Sequence, residues 1–315
     1  MRWSILLPTH DNPESLGFAL DAALAQSETD FELLIVGDGV SDETRAVVAR
    51  RVDPRITFHD LPKAQGFGYA HRRAVLAQAL GDYISFMSDD DLVGPHHLRV
   101  LGAQLDEGTV LAYSRPMWCV PSGHVVPLSF DLGDAWIRAR FELVNYIPAV
   151  FVAVRRSALD QAGGWPVNVP SAADWMLWKA ILAQPGARVG YDTIPTALHF
   201  RSKRRDSDHP LVEAILALPE RERWWPEAAR VPREERAQQG TAAELNTEQW
   251  WTELAWAAVR IEHHVAATVG LAGALTDQAV REARADERQK FQSSTSWKLT
   301  RPLRRIATLL GRGRP

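Results

Sequence analysis

The sequence contains almost no cysteine and no long apolar run, and both deficits restrict what it can encode. Cys119 is the only cysteine among 315 residues, which excludes an intramolecular disulfide and argues against a cysteine-based zinc site. No apolar run approaches the roughly 18 residues that predict a membrane-spanning helix. Pro8 interrupts the first apolar stretch too early for the core of a signal peptide. We therefore expect a cytoplasmic protein.

Glycine and proline are too sparse for a collagen-like or low-complexity chain, since they number 20 and 19. Hydrophobic residues make up 46% of the sequence and charged residues 24%, as in soluble globular proteins. A chain of this length is expected to form about two domains, or one large domain with an appended segment.

Positive charge is in deficit over residues 1–287 taken together and in excess at the C-terminal end. The net charge is −3, but residues 288–315 contain eight lysines and arginines and no acidic residue, which leaves −11 on residues 1–287. A mildly acidic body argues against a nucleic-acid-binding protein. The basic tail is instead expected to have an anionic partner of its own.

Short apolar runs alternate with helical patterns over the first two-thirds of the chain. The runs predicted as strands are residues 3–7, 31–36, 56–61, 83–87, 110–114, 150–155, 188–192 and 196–201, with a hairpin over 117–128. Helices are predicted after the caps Asn12 and Ser41 and over residues 69–80 and 171–184. This alternation predicts an α/β fold with a doubly wound, mostly parallel sheet.

The chain changes character beyond about Pro210. We predict an α/β domain over residues 1–210, a charged, proline-containing linker over 211–240, and a helical region over 241–315. Three tryptophans of the helical region are expected to fill a small helical core or, alternatively, to bind a second copy of the chain. They are Trp250, Trp251 and Trp256.

An acidic triplet, Asp89–Asp91, is the strongest candidate for chemistry, because it directly follows the predicted strand at 83–87. Ligands bind outside the carboxyl ends of strands in doubly wound sheets. Adjacent carboxylates repel one another, which favours a neutralising cation. Oxygen ligands on a loop suit Mg²⁺ or Mn²⁺, which also accept substrate phosphates. The alternative interpretation is a solvated acidic turn that caps the next helix.

Candidate nucleotide contacts occur at two further places. Asp38, at the end of the second predicted strand, can accept from a nucleobase or ribose, although Asp-Gly is also an ordinary turn sequence. Arg72 and a basic cluster at 201–205 suit a diphosphate because guanidinium groups form planar donor forks, the alternative being a solvated surface. Gly-Phe-Gly at residues 66–68 lacks the third glycine of a dinucleotide-binding loop, which argues against a nicotinamide-dependent dehydrogenase.

Asp174 and His199 each admit two interpretations. Asp174 lies at a predicted helix start, where a carboxylate beside apolar walls suits a general base. The spacing from Ser171 equally resembles a capping box, with Asp in place of Glu. His199 lies on an apolar strand, where it can complete a metal site or pack as an ordinary core residue.

Three long segments, taken in order, carry a family resemblance. They are SILLPTHDNPESLGFALDAALAQSETDFELLIVGDG, GYAHRRAVLAQALGDYISFMSDDD and GGWPVNVPSAADWMLWKAIL. They resemble the nucleotide-binding first half, the arginine helix with its metal-binding strand end, and the acceptor-side segment of the family 2 glycosyltransferases. The resemblance covers about Arg2 to Arg201 and implies the GT-A fold of that family.

The resemblance implies a donor nucleotide site. Thr9, Asp11 and Asp38 match the family's nucleoside pocket, and Arg72 matches an arginine near the base and the diphosphate. The acidic pair usual in the family is Gly37-Asp38 here, which leaves a single carboxylate.

The resemblance also implies a divalent metal, Mn²⁺ or Mg²⁺. Asp89 and Asp90 match positions that bind the nucleotide, and Asp91 or Asp90 is favoured as the direct metal ligand, with Asp89 as a further candidate. His199 and Arg201 match a region that meets the metal and the diphosphate.

Asp174 matches the family's catalytic base, which implies an inverting sugar transfer. The expected donor is a nucleoside-diphosphate sugar, with UDP or dTDP favoured over GDP. The expected acceptor is a hydroxyl of a glycan or lipid-linked molecule in bacterial surface polysaccharide synthesis. The two alternatives are a sugar-phosphate nucleotidyltransferase, for which residues 8–15 offer no phosphate loop, and a catalytically degenerate scaffold subunit.

The C-terminal segment 297–315 resembles an ending found on bacterial polysaccharide-assembly glycosyltransferases. Its leucines and tryptophan are interleaved with lysine and arginine, a pattern that suits an anionic membrane surface. We expect peripheral attachment at the cytoplasmic face of the inner membrane. The alternative is a helix that packs on the body or on a partner chain.

Overall fold

The computed structural model describes residues 2–119, 125–200 and 246–259, except 253 and 257. These residues lie in the first of two compact units, residues 1–259. The predicted linker at 211–240 and the basic tail at 297–315 lie outside the described residues, and the predicted domain boundaries stay predictions. Within the described ranges, every helix is too short or too polar to span a bilayer.

The strands form two sheets. In chain order they are β1 (Trp3–Thr9), β2 (Phe31–Asp38), β3 (Ile56–Leu61), β4 (Tyr83–Phe86), β5 (Leu92–Val93), β6 (Leu111–Ser114), β7 (Met117–Cys119), β8 (Val125–Pro127), β9 (Val152–Arg155), β10 (Val189–Asp192) and β11 (Ala197–Phe200). The main sheet has the order β10-β6-β9-β4-β1-β2-β3, and the smaller sheet has the order β5-β11-β7-β8. Only β9 runs antiparallel to its neighbours in the main sheet as described, so the predicted mostly parallel α/β sheet is confirmed.

The described residues form seven α-helices between or after the strands. They are α1 (Pro13–Leu24), α2 (Asp42–Ala49), α3 (Tyr69–Leu76), α4 (His97–Asp106), α5 (Ala135–Phe141), α6 (Arg156–Gln161) and α7 (Ala173–Leu182). Proline fits the first turn of α1, where an N–H has no helical partner. Ser41 caps α2 by accepting from the backbone N–H of Thr44.

Several predicted boundaries are wrong by a few residues, and tertiary contacts explain the clearest case. The helix predicted over 69–80 ends at Leu76. The backbone N–H of Leu80 donates instead to the Glu32 carboxylate at 2.6 Å. The strand predicted from residue 150 begins at Val152, because Ala149–Phe151 forms a 3₁₀ turn after Pro148.

A buried polar network joins β1, β2 and the chain entering β4, at the end of the sheet opposite the acidic triplet. The Ser4 hydroxyl donates to Glu32 at 2.5 Å and accepts from the backbone N–H of Gly81 at 2.8 Å. Ser4 is fully buried and Glu32 nearly so, and buried polar groups need such partners. The network fixes how closely residue 81 approaches β1.

The described part of the predicted helical region packs on the α/β domain. Trp250 and Trp251 are buried, whereas Trp256 is 68% exposed. The Trp251 indole N–H donates to Asn246 at 2.7 Å, and the Asn246 amide donates to the Val93 carbonyl at 3.0 Å. Trp250 and Trp251 are therefore core residues, but the core they join is that of the α/β domain and not the separate small helical core that was expected. For Trp256 the expectation of a core role is wrong.

We predict that Gly81→Ala destabilises the protein by about 2 kcal/mol or more, since overpacking against backbone cannot relax cheaply. A Cβ at residue 81 would lie 2.4 Å from the Ser4 nitrogen and 2.4 Å from the Trp3 carbonyl carbon. The matched control is Gly17→Ala in α1, whose nearest neighbour is an Arg51 side-chain nitrogen at 3.3 Å. Urea unfolding followed by circular dichroism measures the free energy of unfolding of both variants. Equal stability of Gly81→Ala and the wild type would contradict the packing described.

Candidate active site

The ends of three adjacent parallel strands bring candidate residues together at one edge of the main sheet. Thr9 ends β1, Asp38 ends β2, and the acidic triplet follows β4, with β1 between the other two. The Thr9 hydroxyl donates to Asp89 at 2.8 Å, which ties the β1 turn to the triplet. Asp11 is exposed in this turn, and none of the described residues forms a hydrogen bond or ion pair with its carboxylate.

Asp91 and His199 form a pair because the smaller sheet sets their register. Leu198 of β11 lies opposite Leu92 of β5, which places His199 next to Asp91. The His199 Nδ1 lies 3.0 and 3.2 Å from the two Asp91 oxygens. The His199 side chain keeps 26% exposure, so the packed-core interpretation of this histidine is wrong.

The described residues do not fully neutralise the crowded carboxyl groups of the acidic triplet. Burial raises the pKa of Asp90 to about 7, and the charges of Asp91 and Asp89 act in the same direction. Burial likewise raises the pKa of Asp89, against the hydrogen bond from Thr9. Helix α4 begins at His97 without a side-chain cap, so the interpretation of the triplet as a helix-capping turn is wrong.

These residues fit a divalent cation that takes its remaining ligands from substrate and water. In the described part of the chain, no group of three or more ligating side chains surrounds a common point. Asp91 and His199 nevertheless converge, and Asp90 needs positive charge nearby to ionise fully at neutral pH. Mg²⁺ is held in proteins by one or two carboxylates together with waters and phosphates, so a full protein cage is not required.

Asp38 is held by the loop between β3 and α3. Its two oxygens accept from the Lys63 ammonium and the Ala64 backbone N–H, each at 2.6 Å. Burial tends to raise the pKa of Asp38, but these two donors outweigh it and keep the pKa below its ordinary value. Lys63 was not singled out from the sequence, because a lone lysine in a loop carries no signal of its partner.

Arg72 is the cation at the centre of the site. Its guanidinium carbon lies 5.5 Å from the ring centre of Tyr69 and 5.6 Å from that of Trp165. Its Nε is buried and has no hydrogen-bond acceptor among the described residues. Burial lowers the pKa of Arg72, whereas Asp89 and Asp174 favour its charged form. Arg72 is therefore not the solvated surface residue of the alternative interpretation.

Asp174 lies in the first turn of α7, after a strained residue. Ala172, with φ of 52°, is the only non-glycine residue with positive φ in the described ranges, and it caps α7 without a side-chain bond. The capping-box interpretation of Ser171 and Asp174 is therefore wrong. Asp174 instead accepts from the Asn145 amide at 3.4 Å. Burial raises the pKa of Asp174, although the Trp175 backbone N–H and Asn145 oppose the shift.

The candidates thus meet in one electrostatic cluster. Arg72 interacts with Asp38, Asp89 and Asp174, and His199 interacts with Asp174. Arg201, the remaining candidate, lies outside the described residues.

Comparison with known proteins identifies related chains. A sequence model described as Glycosyl transferase family 2 matches residues 4–163. The succinoglycan biosynthesis protein ExoO of Rhizobium meliloti is 32% identical over 96 residues, which cover 30% of this chain and 27% of ExoO. The O-antigen biosynthesis protein RfbC of Myxococcus xanthus is 27% identical over 259 residues, which cover 73% of this chain and 19% of RfbC. The chain therefore spans well under half the length of either relative.

Two solved structures are similar in fold. Residues 1–349 of Staphylococcus aureus TarS align with a TM-score of 0.54 at 20% identity, over 70% of this chain and 64% of that one. The mannosyltransferase PcManGT of Pyrobaculum calidifontis aligns with a TM-score of 0.51 at 15% identity, over 97% and 87%. The expected GT-A fold is thereby confirmed. Because the family match spans half of the sequence, from β1 to α6, the chain belongs to glycosyl transferase family 2.

Proposed function

We propose that this protein transfers a sugar, with inversion at the anomeric carbon, from a nucleoside-diphosphate sugar to an acceptor hydroxyl. The observation that carries the proposal is the electrostatic cluster around Arg72. In this cluster Asp91 and His199 form a pair. His199 and Arg72 also interact electrostatically with Asp174, a buried carboxylate on another element. A leaving diphosphate and an attacking hydroxyl need such groups on opposite sides of the sugar.

The donor half of the site would bind the nucleoside diphosphate. Asp38 and Thr9 lie where the nucleoside is expected, and Arg72 has an unused buried Nε that suits a diphosphate oxygen. TarS has been solved with UDP-GlcNAc, and PcManGT with GDP-Man and Mn²⁺. We favour UDP or dTDP over GDP for this chain, in line with the sequence-based expectation.

Asp91 and His199, with Asp89 as a further candidate, would hold Mn²⁺ or Mg²⁺. When bound, the cation supplies positive charge to the diphosphate as it leaves. Arg72 adds a second positive charge that is already in place and is shielded from water, which strengthens its effect.

Asp174 would act as the base. Its ionised carboxylate accepts the proton of the acceptor hydroxyl as the hydroxyl oxygen bonds to the anomeric carbon. The bond from that carbon to the diphosphate oxygen breaks, and its electron pair leaves with the nucleoside diphosphate. The raised pKa of Asp174 makes it a stronger proton acceptor than an ordinary aspartate.

We place the reaction in polysaccharide synthesis, with a glycan or lipid-linked acceptor. ExoO and RfbC are named for succinoglycan and O-antigen biosynthesis, and TarS for transfer to poly(ribitol-phosphate). Attachment of residues 297–315 to the cytoplasmic face of a membrane remains part of this proposal.

Nucleotide affinity is expected to depend on metal. Calorimetric titration of UDP, dTDP and GDP, with and without Mn²⁺, should show one nucleotide that binds more tightly with metal. Asp91→Asn should weaken that binding by at least about tenfold, since the loss of even an outer-sphere partner lowers metal affinity by that factor. Asp160→Asn in α6, an exposed position, is the control. Equal affinity for every nucleotide with and without Mn²⁺ would refute the donor site and favour a degenerate scaffold.

Asp174→Asn is expected to reduce kcat by about 10²- to 10⁴-fold, the usual worth of a general base, and to leave nucleotide affinity unchanged. Because the base must be ionised, activity should fall as pH falls through the raised pKa of Asp174, so the acidic limb lies above the ordinary aspartate range. Steady-state rates from pH 4 to 8 measure both effects, with Asp160→Asn as control. Unchanged turnover in Asp174→Asn would exclude this carboxylate as the base.

A further inference from the structure

The chain segment from the last residue of α5 onward, residues 141–147, is fastened to α7 at both of its ends. The indole N–H of Trp175 donates to the Phe141 carbonyl at 2.8 Å, and that of Trp178 donates to the Ile147 carbonyl at 3.3 Å. Both tryptophans belong to the helix that carries Asp174. The segment therefore keeps a fixed position relative to this carboxylate.

Asn145 lies between the two fastened ends, and its amide orientation is determined by its neighbours. Its Oδ1 accepts from the backbone N–H of Ile147 at 3.0 Å. The amide NH₂ consequently points the other way and donates to Asp174 Oδ2 at 3.4 Å. Hydrogen bonds to a catalytic base are often this long before substrate binds. The next residue, Tyr146, stacks on Phe130 at 4.3 Å between ring centres, which further restrains the segment.

We propose that Asn145 is a positioning residue that holds the Asp174 carboxylate, in its ionised form, in the orientation for proton abstraction. The proposal rests on the proposed function of Asp174 as base. Neither the sequence patterns nor the family resemblance pointed to Asn145, which occupies a loop without a motif.

The electrostatic surroundings of Asp174 determine what the loss of this amide would do. Arg72 and Tyr69 face the carboxylate from α3, and His199 faces it from β11. Arg72, His199, the Trp175 backbone N–H and Asn145 all favour the ionised form, whereas burial opposes it. Without the amide donor, burial is opposed by one fewer group, so the pKa of Asp174 rises further. The acidic limb of the rate profile should therefore move to higher pH.

Two substitutions separate positioning of the base from support of the loop. Asn145→Asp is nearly isosteric and keeps an oxygen for the Ile147 N–H, but it replaces the donor to Asp174 with a second carboxylate. Asn145→Ala removes both hydrogen bonds. The control is Leu143→Ala, which changes a 77% exposed side chain of the same segment.

The experiment measures kcat and KM from pH 4 to 8 for the wild type and the three variants, with nucleotide affinity by calorimetry. We expect kcat near neutral pH to fall about tenfold in Asn145→Ala, as for the loss of one hydrogen bond to a charged group. The acidic limb should move to higher pH in Asn145→Ala and further in Asn145→Asp. Nucleotide affinity and the Leu143→Ala profile should match the wild type.

A purely structural role for Asn145 predicts different pH profiles for the two variants. Asn145→Asp, which keeps the loop bond, would then match the wild-type pH profile, and Asn145→Ala would alter kcat without moving the limb. Either result would overturn the proposal, and so would a wild-type profile in both variants. Failure of the proposed function is distinguishable, because an inactive wild type would show no transfer at any pH. In that case, ¹³C titration of the Asp174 carboxyl still tests whether Asn145→Ala raises its pKa.

Discussion

Carboxylates crowded at one edge of the sheet are the constraint on which the rest of the site depends. Asp38 is balanced by Lys63 and Asp91 by His199. Asp89 and Asp90 have no basic side chain in contact within the described ranges, and the pKa of each is raised by burial and by its acidic neighbours. Buried charge without a partner is unfavourable, so Asp89 and Asp90 hold their protons more readily than ordinary aspartates. A divalent cation bound beside them, as we propose, would favour their ionised forms.

The ion pair between Asp38 and Lys63 affects which partners are left for Arg72. Lys63 and Ala64 occupy both oxygens of Asp38, so this carboxylate does not draw the guanidinium into a close ion pair. Arg72 stays between the rings of Tyr69 and Trp165, with its Nε unused among the described residues. A buried arginine with an unused Nε suits an anion, and the aromatic rings shield it from water. The contact between Lys63 and Asp38 thus leaves Arg72 available for the diphosphate that we propose it binds.

The sequence predicted those features that depend on local pattern and missed those that depend on distant contacts. The long apolar runs of β1 and β2 were predictable because both faces of these strands are buried. The seven-residue helix α5 is shorter than the window in which helical periodicity can be recognised. The described site residues that the resemblance identified lie at or just after strand ends, or in the first turn of a helix. Lys63 and Asn145 lie in loops, and only the folded chain shows which carboxylates they contact.

The groups proposed to bind the donor and the groups proposed to orient the base come from different parts of the chain. Thr9, Asp38 and the acidic triplet lie at or just after the ends of main-sheet strands, whereas Asp174 belongs to α7 and is contacted by Asn145. Arg72 and His199 are the described groups that interact electrostatically with both sets. Substitution of Asn145 is therefore expected to act on the ionisation and orientation of the proposed base without contact to the nucleotide side. Nucleotide affinity and the pH dependence of turnover accordingly report on separate parts of one site.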